Sequence, residues 1–234
     1  MCGRFVRTSA TQEILQEFDA EANGLDIAPS YNIAPSQDVA VIIKDDRRRL
    51  VLCRWGFIPH WARDITNATK AINARAETVA VNRAFSAAFR THRCLVAADG
   101  FYEWRRGSAG NVPVFIRHKS RNTPLGFAGL YSTLAAADGS VLRTCTIITT
   151  TANKLVRTIH DRMPVIIDKA DYGLWLEHGA WDAGNKNALL AILVPYPDDA
   201  LDDMPLLEAI DVSTMVNSPR NNSPQCIEPI SNAG

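Results

Sequence analysis

Residues 93–105 read Arg93-Cys94-Leu95-Val96-Ala97-Ala98-Asp99-Gly100-Phe101-Tyr102-Glu103-Trp104-Arg105. Two short runs, 93–98 and 101–105, are dominated by apolar and aromatic residues of strand type. Working outward, similar runs recur near 112–118, 125–131 and 142–150, and upstream at 39–44 and 49–55 around an Asp45-Asp46-Arg47-Arg48 turn. One more strand is expected near 163–168. Helical spacing is confined to short pieces. Thr8-Ser9 reads as a helix cap ahead of Ile14, Leu15 and Phe18 on one face, and further helices fall near 82–89, 153–159, 169–177 and 185–193. Tyr31-Asn32-Ile33-Ala34-Pro35 reads as a loop, Gly56 to Asn73 as irregular chain, and about 218–234 as an irregular tail. Many strands in hairpin order with small helices inserted predict an α+β fold. The expected architecture is a single domain over 1–234, with an antiparallel, barrel-like sheet as core and short helices around it.

Length and composition bound the function. At 234 residues the chain can bury a substantial core. No apolar run approaches the roughly 18 residues of a membrane span, and the polar N-terminus lacks a signal-peptide core. The five cysteines are odd in number and widely spaced, with no C-x-x-C pair. Disulfides and zinc sites are therefore not expected, and a reducing cytoplasm is. Cys53, Cys94 and Cys145 lie in strand runs and read as small buried hydrophobes. No cofactor is called for, and a monomer is expected. Net charge is zero, yet residues 1–130 carry 18 Lys+Arg against 12 Asp+Glu, and residues 131–234 carry 7 against 13. Of the 25 basic residues 19 are Arg, the side chain whose planar fork matches phosphate. A basic face for nucleic acid and a surface that simply prefers Arg both fit that count.

Several residues carry possible chemistry. Removal of Met1, common before a small residue, would leave Cys2 with a free α-amine and a thiol on one carbon. That 1,2-aminothiol suits capture of an aldehyde, because an α-amine titrates near about 8 and the thiol near about 8.5. An incidental cysteine at a frayed terminus is the plainer reading. In Ala71-Ile72-Asn73-Ala74-Arg75-Ala76-Glu77-Thr78, an extended chain points Asn73, Arg75 and Glu77 one way. They either face a ligand or form an exposed face with an Arg75–Glu77 pair. Glu103 sits among aromatics, where burial would raise its pKa towards general-acid use; a solvent-facing edge position is the alternative. Thr149-Thr150-Thr151-Ala152-Asn153 reads as a strand end with an ordinary helix cap, or as a phosphate seat. His160, in His160-Asp161-Arg162-Met163-Pro164, is the best acid–base candidate. His60, His92, His118 and His178 read as surface or packing residues, and no ligand spacing favours a metal.

Six segments occur in one order: Met1-Cys2-Gly3-Arg4-Phe5, Tyr31-Asn32-Ile33-Ala34-Pro35, Arg54-Trp55-Gly56-Phe57-Ile58-Pro59, Asn73-Ala74-Arg75-Ala76-Glu77-Thr78, Gly100-Phe101-Tyr102-Glu103-Trp104 and His160-Asp161-Arg162-Met163-Pro164. Together they resemble the SOS-response-associated peptidase (SRAP) family, the abasic-site-processing proteins, over nearly the whole chain to Val216-Asn217. The resemblance implies a single domain and a covalent link from the N-terminal cysteine to an abasic site in single-stranded DNA. It implies that Cys2 is the nucleophile, with Asn73, Glu103 and His160 as the polar groups around it. By the same resemblance Arg4, Arg75 and Arg162 match positions that hold DNA phosphates, and Trp61 and Trp104 match aromatics near the strand. The run after Ile58 that contains Trp61 varies. A lyase-like imine chemistry, a peptidase activity that removes Met1, contact with replication machinery and a nucleoid location when bound to DNA complete that expectation. Two rivals remain on the sequence: a cysteine peptidase or N-terminal-nucleophile hydrolase using Cys2, His160 and Glu103, and a non-catalytic single-stranded DNA binder.

Overall fold

A computed structural model of the chain describes residues 2–62, 71–108, 110–119, 123–135, 141–178, 181–199 and 206–230. Met1, residues 63–70 of the expected irregular stretch and the last four residues of the expected tail lie outside the described residues. The strands are β1 (Phe5–Arg7), β2 (Ser30–Ile33), β3 (Asp38–Lys44), β4 (Arg48–Trp55), β5 (Asn73–Arg75), β6 (Arg93–Ala98) and β7 (Gly100–Gly107). They continue with β8 (Gly110–His118), β9 (Leu125–Ala135), β10 (Val141–Thr151), β11 (Arg162–Pro164), β12 (Ile166–Ile167) and β13 (Leu207–Asp211). The helices are α1 (Thr11–Phe18), α2 (Ser86–Thr91), α3 (Lys154–Arg157), α4 (Tyr172–Leu176) and α5 (Ala183–Ala191).

Five strands close on themselves. β4 pairs with β3, β3 with β6, β6 with β9 and β9 with β10, all antiparallel. The ring is completed by a short parallel pairing, Thr144 with Arg54 and Cys145 with Trp55. Alternation along these strands then sorts the side chains. Val39, Val41, Cys53, Cys94, Val96, Cys145 and Ile147 join one buried cluster. Their neighbours Ala40, Ile42, Leu95, Ala97 and Ile148 join another, which also holds apolar residues of α1, α2, α4 and α5. The helices therefore cover the barrel's outer face. Among the described residues no helix is long and apolar enough to cross a membrane. The second sheet runs β13-β8-β7-β1-β2 and is antiparallel throughout. Phe5, Phe101, Val114 and Ile116 from this sheet belong to the same buried cluster as the barrel interior, so the two sheets share one core.

The elements differ from expectation in instructive ways. Tyr31 to Ile33 is not a loop: β2 forms there because β1 offers it a partner, with Phe5 opposite Ile33. α1 begins at Thr11 rather than after a Thr8-Ser9 cap, since the backbone N–H groups of Thr8 and Ser9 donate to Asp99 instead, at 2.5 and 2.8 Å. Ala10 supplies the first turn, its N–H donating to Glu13 Oε2 at 2.7 Å. The helix expected from residue 82 is delayed to Ser86. The strand expected over 163–168 splits at Val165, whose N–H donates to Ile148 O while its carbonyl accepts from Ala128. The chain there leaves β10 and joins β9. The helix expected over 169–177 starts as a 3₁₀ turn, Lys169–Asp171. Residues 218–230 are not wholly irregular, holding a 3₁₀ turn at Pro224–Cys226 and a bridge from Pro229 to Val212. They are also anchored: Asn32 Nδ2 donates to the carbonyls of Val216, Ser218 and Asn221, and Asn222 Oδ1 accepts from the backbone of Tyr31 and Asn32.

Arg93 shows how the outer layer is fastened. Its side chain is buried and donates to the carbonyls of Phe89, Arg90, Trp175 and Glu177. These carbonyls end α2 and α4, so one guanidinium caps two helices at the negative ends of their dipoles. Burial without a carboxylate pulls its pKa down to about 10.

Gly100 supplies a test of the packing. A Cβ there would lie 2.5 Å from both the Ile116 carbonyl and the Phe115 ring. Gly100→Ala should therefore destabilise the protein by about 1–3 kcal/mol or more, read as a fall in the urea midpoint. An unchanged midpoint would mean that β7 and β8 are not packed this closely.

Candidate active site at the amino-terminal strand

β1 carries the amino end of the chain into the second sheet, between β2 and β7. Phe5 lies opposite Phe101, and Tyr102 donates its N–H to Arg4 O at 2.9 Å. This register runs the residues before Arg4 alongside Glu103. Cys2 is fully buried rather than frayed, and Asn73 fixes it from a second element. Asn73 opens β5, paired in parallel with Ile147 of β10, and its Nδ2 donates to Cys2 O at 2.9 Å. The other half of the amide, Asn73 Oδ1, is buried and has no hydrogen-bond partner among the described residues. An orphaned acceptor beside Cys2 is costly unless a donor arrives there.

Glu103 is 4% exposed, on a strand with neighbours on both sides, so it is neither solvent-facing nor on an edge. Burial pushes its pKa up to about 7, opposed by the charge of the chain's amino terminus and helped by Asp161. The Cys2 thiol is pushed far above its ordinary range, first by burial and then by the negative charge of Glu103. His160 follows α3 and precedes β11. Its Nδ1 accepts the Arg162 N–H at 3.0 Å, and Asp161 Oδ1 lies 2.9 Å from the same nitrogen. The two contacts require different protonation states of that nitrogen. Burial, then the amino-terminal charge, lowers the His160 pKa, so the neutral ring accepting from Arg162 is the prevailing form, with the proton on Nε2. Glu103 acts on the Cys2 thiol, and Asp161 acts on both Glu103 and His160, so the three proton-exchanging groups share one electrostatic neighbourhood.

The arginines differ in their freedom. Arg4 Nη1 donates to Asn32 Oδ1 and Val216 O, each at 2.7 Å, and its guanidinium lies 5.8 Å from the centroid of Trp104. Trp104 is held at its edge by Asn217, Nε1 to Oδ1 2.7 Å. Arg75 is exposed on β5. It does not pair with Glu77. The partner of Glu77 is Arg162, through Nη1–Oε1 at 2.5 Å and Nη2–Oε2 at 3.0 Å. Trp61 is half exposed, with Arg83 over its ring at 5.2 Å. Asn153 caps α3 by accepting the Val156 N–H at 3.0 Å, the ordinary alternative for that segment. Sequence reasoning missed Asn32 and Asn217 as fasteners of Arg4 and Trp104. An Asn between apolar residues in Tyr31-Asn32-Ile33 was the available signal for the first.

Among the described residues no group of three or more His, Cys, Asp or Glu is placed to hold a metal ion. A cavity of about 310 Å³ lined by Thr8, Ser9, Asp99, Arg117, His118 and Lys119 contains none of Cys2, Asn73, Glu103 or His160.

Comparison with known proteins gives a single answer. Residues 1–219 match the family described as SOS response associated peptidase (SRAP). The chain is 44% identical to the abasic site processing protein YoqW of Bacillus subtilis, over 97% of this chain and 99% of that one. It is 32% identical to the abasic site processing protein HMCES of Xenopus tropicalis, over 86% of this chain and 66% of that one. Among solved structures, a protein from Bacteroides thetaiotaomicron superposes with a TM-score of 0.81 at 22% identity, covering 98% of this chain and 100% of that one. A protein from Bordetella bronchiseptica superposes at 0.74 with 27% identity, covering 91% of this chain and 100% of that one.

The Glu103 carboxyl has a stability consequence. Its pKa rises from 4.5 to about 7 on folding, so the native state keeps the proton longer than the unfolded one. Stability therefore falls as pH rises from about 4.5 to about 7 and stays lower above that window, by up to about 3 kcal/mol. Glu103→Gln should raise the urea midpoint at pH 8 and lose that advantage near pH 4. A difference between the two proteins that does not vary with pH would show that the carboxyl is not desolvated.

Proposed function

The chain belongs to the SOS response associated peptidase family, and from that premise we propose that it captures abasic sites in single-stranded DNA as a covalent thiazolidine on Cys2. Its relatives in Bacillus and Xenopus bear the name abasic site processing protein. The observation that carries the reading is a buried carboxyl, Glu103, with a pKa near about 7, facing Cys2 while Asn73 grips the Cys2 carbonyl at 2.9 Å.

Removal of Met1 frees the Cys2 α-amine. The abasic deoxyribose is mostly a closed hemiacetal; protonated Glu103 donates to the ring oxygen as the C1′–O4′ bond breaks, and the C1′ hydroxyl gives its proton to water, leaving the aldehyde. The amine adds to the aldehyde carbon and water leaves, which gives the imine. The thiol sulfur then adds to the imine carbon, the nitrogen takes up a proton, and a five-membered thiazolidine results. Glu103, now a carboxylate, is the base next to the thiol and takes its proton. This order suits the strongly raised thiol pKa: sulfur stays a neutral thiol until a base has been made beside it. Asn73 Oδ1 accepts a hydrogen bond from the amine or a sugar hydroxyl. His160 shuttles a proton near the 3′ phosphate, and Arg4, Arg75 and Arg162 neutralise phosphates. Trp61 and Trp104 offer faces to unpaired bases. Closing the thiazolidine removes the imine from which β-elimination would break the strand.

Incubation with abasic single-stranded DNA followed by a denaturing gel tests this directly. A heat-stable adduct is expected from wild type and none from Cys2→Ala unless borohydride traps the imine; a stable Cys2→Ala adduct without reductant would leave sulfur without a role. Intact mass of the adduct-forming protein should be one Met residue below the encoded chain. Glu103→Gln should slow adduct formation by about 10²–10⁴-fold, and an open-chain aldehyde should recover part of that loss. Equal slowing on both substrates would move Glu103 from ring opening to a later step.

A further inference from the structure

Glu77 takes no part in the chemistry above, yet it occupies the most specific contact at the rim of the site. Its carboxylate meets Arg162 fork to fork, with Nη1–Oε1 at 2.5 Å and Nη2–Oε2 at 3.0 Å. Arg162 Nη2 also donates to Thr149 O at 2.6 Å, and Arg162 Nε is buried with no partner among the described residues. The two terminal nitrogens are therefore engaged, and the guanidinium edge that would clasp two oxygens of a phosphate already holds two of a carboxylate. The Arg162 side chain is only 14% exposed, while Glu77 is 48% exposed and lies on the solvent side of the pair. A carboxylate and a phosphodiester offer the same spacing of oxygens to that fork.

We propose that Glu77 is a latch that occupies the Arg162 phosphate seat in the free protein and yields it to the DNA backbone, thereby setting how strongly that seat binds. The inference rests on Arg162 contacting DNA, as in the reading above. Arg162 keeps its bond to Thr149 O throughout, so the guanidinium stays in place while its partner exchanges. Glu77 leaves outward into water, which costs little for a side chain already half exposed. The other charge acting on Glu77 is Arg75, whose field also holds the carboxyl below its usual range after the Arg162 hydrogen bond has done so. Glu77 thus remains ionised wherever the protein is folded near neutral pH, and the latch is not a pH switch.

Exchange has two readouts that a merely structural ion pair would not give. Glu77→Gln removes the competing charge, so intact single-stranded DNA should bind about two- to fivefold more tightly. In wild type the freed Glu77 gathers a cation as the phosphate releases one, and this offset vanishes in the variant. The plot of log K against log salt should then steepen by up to about 0.7 in Glu77→Gln. In an Arg162→Ala background the Glu77→Gln change should alter neither affinity nor slope.

The experiment is a salt titration of fluorescently labelled, lesion-free single-stranded DNA against wild type, Glu77→Gln, Arg162→Ala and the double variant, each checked for folding by thermal melting. Tighter binding and a steeper slope in Glu77→Gln, both lost with Arg162, would support the latch. Unchanged or weaker binding by a folded Glu77→Gln protein, with wild type binding DNA, would overturn it and leave the proposed function intact. Failure of wild type to bind or crosslink any abasic strand would overturn the proposed function and the latch with it.

Discussion

The site depends on a three-residue strand. β1 spans Phe5–Arg7, yet it lies between two partners and is pinned at both ends by arginine. At its start, Arg4 ties Asn32 and Val216 together. At its finish, Arg7 is buried and donates to the carbonyls of Ser9, Ile27 and Ala28. Between them the Phe5 ring lies edge-on to Trp55 at 5.2 Å and to Phe127 at 6.1 Å, which joins the strand to the barrel. An N-terminal residue normally frays and searches a wide volume. Here Cys2 is held within three residues of a fixed point and gripped at its carbonyl by Asn73. The ordering cost is met during folding, and the proposed joint action of an amine and a thiol on one carbon depends on that.

The same burial sets the charge state of the site. Glu103 and Cys2 move towards their neutral forms, and neutral His160 prevails for the same reason. Proton transfer needs groups that lie close to the transfer point, and a desolvated pocket of uncharged donors and acceptors meets that need near pH 7. Positive charge lies nearer the surface, on Arg75 and Arg162, the residues to which the proposed reading gives the phosphates. The division follows from depth: β7 and β1 lie inside the second sheet, whereas β5 and β11 flank the end of β10, where Thr151 is exposed.

This division also explains what could be seen in the sequence. The ring strands β3, β4, β6, β9 and β10 were legible because each is long enough for an apolar run to declare itself. β1 and β13 were not foreseen, at three and five residues, and β2 was read as a loop beside its proline; pairing across the chain forms these strands, not local propensity. Glu103 and Asn73 stood out as polar residues in strand-like surroundings, but neighbours alone left an exposed position open for each; strand pairing buries Glu103 and leaves Asn73 half-buried. Nor could neighbours name the partner of Glu77. Arg75 is two residues away and points the same way on an extended chain, whereas Arg162 reaches Glu77 only because β5 and β11 both lie along β10. Thr8 and Ser9 carried a true cap signature, but Asp99, 91 and 90 positions away, claimed their amides.

The excess of arginine in the first 130 residues invites a basic face, and the structure assigns much of it elsewhere. Arg7 and Arg93 are buried against carbonyls, and Arg48 donates to Phe18 O. Arg47, Arg49, Arg105 and Arg117 pair with Glu21, Asp46, Asp211 and Glu208. Arg162 pairs with Glu77, and Arg4 is partly committed to Asn32 and Val216. Formal charge in a segment therefore overstates the cations available to phosphate. Among the described residues few cations are uncommitted, so on the proposed reading non-covalent attraction to a DNA strand is local and weak, and long residence comes from the bond to Cys2. A protein that holds its ligand covalently has less need of a strong basic surface, which would retain undamaged strands as firmly as damaged ones. If both proposals hold, the modest rim, its latched arginine and the deep pocket form one arrangement, in which the lesion's aldehyde rather than the backbone's charge decides which strand is kept.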